Sequence, residues 1–255
     1  MAKEPRQVSL FPGFEISTDD TFLDVGCGGG GDCATAASVG ADIIAVDIVP
    51  DHVAAAARAV EQVGAGSFRG IVSDCDPIPL PDATASIILC CEVMEHVKDP
   101  ARFIAELVRV GKPGAHYVIS VPAAASEGLM KVLAPPSYFE PPGHLRIFEQ
   151  SQFEGLIQST GLVIERSEGL GFYWSMWWAL RMACGTNHCP DYTTPPPQIL
   201  SGWEETWKAL EATPLGPQVV RVLDNLIPKS IRVIARKPVP LAKPHFNFSG
   251  KTLAR

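Results

Sequence analysis

From residue 20 to residue 122 the chain alternates short runs of β-branched and other apolar residues with stretches whose apolar positions recur at helical spacing. That alternation predicts parallel strands joined by helices. Thr21–Val25 reads as a first strand that runs into glycines, and 32–39 as a helix stopped by Gly40. A second strand over 43–46 ends on Asp47, and an Ala-rich helix over 51–63 is stopped by Gly64. Phe68–Val72 is a third strand, after which Pro77, Pro79 and Pro81 enforce an irregular loop. The apolar run Ala85–Cys91 suits a central strand buried on both faces. Asp99 and Pro100 supply an N-cap and an N1 proline for a helix with one apolar face, Phe103, Ile104, Leu107 and Val108. A turn at Lys112-Pro113-Gly114 leads into a fifth strand over 116–121.

The pattern then loosens. Residues 123–143 are proline-rich and read as irregular. Ser151 and Glu154 have capping-box spacing ahead of a helix carrying Phe153, Leu156 and Ile157, which Gly161 ends. A sixth strand follows over 162–166, and a late one over 230–235. About sixty residues between these two fit no minimal α/β unit. They hold Trp174, Met176, Trp177, Trp178, Leu180 and Met182, with Arg181 the one charge in the run, then a proline-rich loop at 195–197 and a helix over 203–210. The run is too short to span a bilayer, which takes ~20 apolar residues. Being apolar nearly all round, it needs a cover: the core, a second copy in a homodimer, an apolar ligand, or peripheral contact with a membrane surface. The chain divides into an α/β domain over 1–168 with 230–238, an inserted lid or interface segment over 169–229, and an extended C-terminal tail over 239–255.

Composition narrows the partners. Apolar content of 46% and charged content of 19% mark a globular chain. A net charge of −7 gives no general attraction for phosphates, so no nucleic-acid partner is expected. Met1 to Phe14 lacks both the apolar run of a secretory signal and the Arg-rich pattern of a transit peptide. Cys27, Cys33, Cys75, Cys90 and Cys91 sit in or beside apolar segments and read as reduced residues in a cytoplasmic protein. Cys184, His188 and Cys189 cluster with poor spacing for zinc, and no CxxC pair exists, so no metal is expected.

The densest chemical signal is Phe22 to Asp32, FLDVGCGGGGD, which follows a strand and opens a helix. Its glycines permit a tight turn and close approach of backbone to a ligand. Gly26, Gly28 and Gly31 also satisfy GxGxxG, and Asp47 lies where a carboxylate accepts ribose hydroxyls, a device shared by dinucleotide enzymes. Three features separate the readings. Asp24 just before the glycines suits a cationic ligand and would repel a pyrophosphate. Asp74, after the third strand, can accept an adenine N–H while the Cys75 amide serves a ring nitrogen. Glu92 to Val97, EVMEHV, follows the fourth strand at the edge where ligands bind.

Together, DVGCGGG from Asp24, Asp47, SDCDPIPLPD from Ser73, EVMEHVKDP from Glu92, KPGAHYVISVP from Lys112 and GHLRIFEQSQF from Gly143 resemble the class I S-adenosylmethionine-dependent methyltransferases of the type 11 group. The resemblance covers 20–168 and the final strand. It implies a Rossmann-like α/β fold: a seven-stranded sheet, mostly parallel with the last strand antiparallel, and helices on both faces. It also implies S-adenosyl-L-methionine as cofactor and S-adenosyl-L-homocysteine as product. Asp24, Gly26, Cys27, Gly28 and Gly30 would form the methionine-side loop, Asp47 with Ile48 the ribose end, Asp74 and Cys75 the adenine end, and Glu92 the sulfonium side. The expected reaction is in-line methyl transfer to a small-molecule or lipid-like acceptor, favouring oxygen, with His144 the first candidate base and His96 the second. The rivals are an NAD(P)-linked oxidoreductase, for which no Tyr-x-x-x-Lys pair is visible, and a non-catalytic cofactor-binding module.

Overall fold

A computed structural model describes residues 8–11, 14–64, 66–185 and 196–240. His188, Cys189, Pro195, residues 1–7 of the N-terminus and the tail beyond 240 lie outside the described residues. A small antiparallel hairpin, β1 (Val8–Phe11) and β2 (Phe14–Ile16), precedes the main sheet. That sheet has seven strands: β3 (Thr21–Val25), β4 (Asp42–Asp47), β5 (Phe68–Val72), β6 (Ala85–Cys91), β7 (Gly111–Pro122), β8 (Val163–Leu170) and β9 (Ser230–Arg236). Their spatial order is β5-β4-β3-β6-β7-β9-β8, with β9 antiparallel to both neighbours. The seven-stranded sheet and antiparallel last strand expected from the sequence are present.

The period-2 pattern of the strands builds two cores. Leu23, Val25, Ile44, Val46, Ile88 and Cys90 face one side, under α3 (Pro100–Val110) and α5 (Gln150–Ser159). Phe22, Ile43, Ala45, Ile87 and Leu89 face the other, under α1 (Gly31–Ala37) and α2 (Pro50–Val63). Helices therefore cover both faces, as near-continuous apolar strands require. From β3 the chain winds outward to β5, then returns to place β6 on the other side of β3. The carboxyl ends of β3 and β6 thus flank a topological switch point, where open α/β sheets bind ligands.

Several local expectations change. The stretch read as irregular contains α4 (Ala124–Leu133) and a 3₁₀ turn at Pro136–Phe139. The turn at Lys112-Pro113-Gly114 is absorbed into β7, and β8 extends to Leu170. Ser151 and Glu154 form no capping box: α5 starts at Gln150, and Glu154 accepts instead from Gln150 Nε2 and Ser167 Oγ. Between β8 and β9 lie α6 (Phe172–Ala183), α7 (Gln198–Glu211) and α8 (Gly216–Leu226). No described helix is long and apolar enough to cross a membrane. The start of α6 is held from a distance, since Gly171 and Phe172 donate their N–H groups to Asp224 Oδ1 at 2.9 and 2.8 Å. A carboxylate at a helix N-terminus both satisfies orphan amides and opposes the helix dipole.

Candidate active site

Because β3, β4, β5 and β6 are parallel neighbours, their carboxyl ends bring Asp24, Asp47, Asp74 and Glu92 to one edge of the sheet. Asp24 is buried and accepts the Cys33 thiol at 3.2 Å. Burial, with a smaller contribution from Asp32 and Asp47, pushes its carboxyl up to about 7 against the Cys33 hydrogen bond. Asp47 Oδ2 accepts the Gly28 N–H at 3.0 Å, and its Oδ1 accepts that of Val49 at 2.9 Å. His52, which the sequence reading passed over, sits with Nδ1 3.2 Å from the same Asp47 Oδ2.

The glycines divide by role. A Cβ at Gly26 (φ +80°) would meet Val93 Cγ2 at 2.3 Å, and one at Gly30 (φ +77°) would meet Ala56 Cα at 2.3 Å. Those two are small so that the protein can pack on itself. Beside Gly28 there is open space, so this is where a ligand finds bare backbone. Cys27 is buried in the turn, Ile48 is 66% exposed next to Asp47, and Asp74 is exposed. The Cys75 N–H is donated to Ser73 Oγ at 3.0 Å, so an adenine nitrogen would have to displace that hydroxyl.

Glu92 stands beside a second space. Its Oε1 accepts from Ser120 Oγ at 2.9 Å and its Oε2 pairs with Lys229 Nζ at 2.8 Å. A cavity of about 570 Å³ opens here, walled by Glu92, Glu95, His96, His144, Trp178 and Lys229 among others. The two histidines expected at the site come together across it, with ring centroids 4.9 Å apart and planes at 82°. His144 Nδ1 lies 2.9 Å from Glu127 Oε2, and Glu127 Oε1 accepts the Tyr138 hydroxyl at 3.0 Å. Glu127 is buried and can only accept when ionised, so His144 carries its proton on Nδ1 and turns the Nε2 lone pair elsewhere. His96 Nδ1 is 3.0 Å from both the Pro142 and Gly143 carbonyls, which fixes its tautomer in the same way. Glu95 is 1% exposed and neither carboxylate oxygen has a hydrogen-bond partner among the described residues. Burial and then Glu92 hold its carboxyl well above the usual carboxylate range.

Sequence spacing found His96 and His144 but not Glu95, Glu127, Tyr138 or Lys229. Glu127 and Tyr138 lie in the stretch read as irregular, and Lys229 reaches Glu92 from 137 positions away. No local pattern announces such partners.

The apolar run 172–183 forms a wall of this space. Its outer side makes a second cavity of about 430 Å³ with α7, lined by Tyr173, Trp174, Trp177, Trp178 and Trp207 among others. Tyr173 and Trp203 stack at 5.9 Å and 12°, and Trp203 Nε1 donates to the Tyr173 carbonyl at 3.1 Å. Trp174 and Trp178 line both cavities.

Comparison with known proteins agrees with this geometry. Residues 23–119 match the family model described as a methyltransferase domain. Norajmaline N-methyltransferase from Rauvolfia serpentina is 35% identical over 100 residues, covering 38% of this chain and 34% of that protein. A ubiquinone biosynthesis O-methyltransferase from Hydrogenovibrio crunogenus is 24% identical over 180 residues, covering 66% of this chain and 72% of that protein. The chain thus spans about a third of the length of the first relative and most of the second. An S-adenosylmethionine-dependent methyltransferase from Mesorhizobium loti superposes with a TM-score of 0.52 at 19% identity, covering 85% of this chain and 90% of that one, a likeness of fold.

Proposed function

We propose that this chain, whose residues 23–119 match the model of a methyltransferase domain, is a class I S-adenosylmethionine-dependent methyltransferase that methylates an oxygen atom of a small or lipid-like acceptor. The observation that carries the reading is the Glu127–His144 pair in the cavity wall beside the carboxyl edge of the sheet. The residues present suit the cofactor. Asp24 is a buried carboxylate that gains from a nearby positive charge, Asp47 keeps a lone pair on Oδ1 for a ribose hydroxyl, and the backbone at Gly28 is uncovered. Ile48 offers an exposed apolar face and Asp74 an exposed carboxylate toward the adenine end. When bound, the cofactor supplies a methyl group on a cationic sulfur, already activated for displacement.

The chain's own residues then orient the acceptor and take its proton. His144 Nε2 is the acceptor for that proton, and Glu127 stabilises the imidazolium that results. Lys229 holds Glu92 in place on the cofactor side of the cavity. The two cavities that meet at Trp174 and Trp178 support an acceptor with a polar head at the histidines and an apolar body along α6. We place this activity in the cytosol, on the strength of six free thiols among the described residues.

Turnover with methyl-labelled cofactor, screened against phenols, catechols, hydroxy-lipids and amines, tests the reading. His144→Ala should lower kcat about 10²–10⁴-fold with unchanged affinity for S-adenosylhomocysteine. Unchanged turnover in that variant would remove His144 as the base. Methylation of amines alone, unaffected by His144→Ala, would favour the nitrogen acceptor that the Rauvolfia relative's name describes. Calorimetry with NADH separates the oxidoreductase alternative, which requires NADH to bind and S-adenosylhomocysteine not to.

A further inference from the structure

We propose that Glu95, His96 and His144 bind one first-row divalent transition-metal ion, of the Zn²⁺ type, on the acceptor side of the cavity. Each residue offers one ligand atom, and these atoms all lie within 4.8 Å of one another. The proposal rests on this geometry; it goes beyond the methyl-transfer reading and, wherever the ion is bound, replaces His144 Nε2 as the proton acceptor of that reading.

Three observations carry it. First, both imidazoles are already oriented as metal ligands are. His96 gives its Nδ1 proton to two backbone carbonyls and His144 gives its own to a buried carboxylate, so each leaves the Nε2 lone pair available. Metal-bound histidines almost always have their second nitrogen tied in this way. Second, Glu95 is a buried carboxylate with no hydrogen-bond donor among the described residues. Buried polar groups ordinarily have partners, and buried charges are paired or coordinate metals. His96 Nε2 stands 3.6 Å from Glu95 Oε1, too far for a hydrogen bond to answer the need. A cation between them does answer it. Third, the three groups border the 570 Å³ cavity and leave one side open to it. Three protein ligands and an open position describe a catalytic zinc site and not a structural one.

The donor set chooses the ion. Two imidazoles and one carboxylate suit zinc, iron, cobalt or nickel, whereas magnesium and calcium prefer oxygen throughout. With ligand bonds of about 2.0–2.2 Å, tetrahedral ligand atoms stand about 3.4 Å apart, so the three side chains draw inward by roughly 1 Å at most. His96 is 39% exposed, so its side chain has room to make most of that movement. An acceptor hydroxyl or water at the open position is acidified, and its proton leaves to solvent, because the ion now occupies the lone pair of His144.

The test uses the full chain, stripped with chelator and titrated with Co²⁺ by visible absorption and with Zn²⁺ by calorimetry. We expect one Co²⁺ per chain, with the intense bands of a low-coordinate site, displaced by Zn²⁺. His144→Ala and His96→Ala should each weaken binding about 100-fold or more, and Glu127→Gln, which removes only the support behind His144, about 10-fold. Cys184→Ser should change nothing. S-adenosylhomocysteine affinity, measured on every variant, shows that each is folded. Failure to retain Co²⁺ in stoichiometric amount overturns the site. So does binding that survives His144→Ala in a folded variant, is lost in Cys184→Ser, or is supported equally by Mg²⁺. Metal bound as expected but S-adenosylhomocysteine not bound by the wild-type chain counts against the methyl-transfer reading and leaves the metal site standing.

Discussion

Asp24 lies in β3, next to its carboxyl end, with a thiol as its hydrogen-bond donor and two further carboxylates nearby. Its carboxyl titrates at about 7 in the folded chain, against about 3.9 when unfolded. Between those pH values the folded state holds the extra proton, so stability of the ligand-free protein falls as pH rises from about 4 to 7. The rise corresponds to at most about 4 kcal/mol. Urea denaturation across that range should show the loss in the wild type and a smaller one in Asp24→Asn, the remainder coming from Glu95, whose carboxyl burial also holds up; Asp24→Asn should in turn bind S-adenosylhomocysteine more weakly. A flat wild-type profile would mean that Asp24 stays ionised throughout. At this scale the sequence was informative wherever one residue type has one physical use. Acids at strand tips and glycines at a turn could be read directly. Glu127 and Glu95 could not, because their meaning comes from burial and from a histidine brought near by the fold.

Among the elements, α1 and α2 meet closely at the glycine loop. Gly30 lies against the Ala56 backbone, so any side chain there pushes α2 off the sheet. Gly30→Ala should cost about 2–4 kcal/mol from overpacking and a left-handed backbone. Gly28→Ala, whose Cβ meets nothing within 4 Å, should cost only about 1–2 kcal/mol. Equilibrium unfolding compares them, and equal losses would refute the division of roles within the loop. The central strands and α2 and α3 were legible because period and end signals agreed. For α4 and α8 they did not. Proline follows α4 closely, and α8 opens on Gly216-Pro217, so both carried signals that read as breaks. The cap on α6 comes from Asp224, beyond the reach of any local motif.

At the scale of the whole molecule, α6 stands over the same sheet edge as Glu92, with which it lines one cavity. The side it presents to the cavity is aromatic, Trp174 and Trp178. Trp178→Ala should raise KM about 10-fold or more for acceptors with an apolar tail, a loss of roughly 1.4 kcal/mol, with S-adenosylhomocysteine affinity unchanged. An equal rise for small polar acceptors would argue against a tail site. The sequence marked this segment as foreign to the α/β rhythm but not as a wall, since its cover comes from α7, across residues the pattern did not connect.

Leu170 and Ser230 face each other on adjacent strands, so everything from 171 to 229 leaves and returns across a single rung of the sheet. The ends are fixed by strand pairing whatever lies between them, and doubling such an excursion costs only about 0.6 kcal/mol in closure entropy. The fold therefore carries this portion as an exchangeable cassette. Descendants of such a chain can trade one cassette for another and leave the strand-tip acids in place, because those stand at the ends of β3 to β6, outside 171–229.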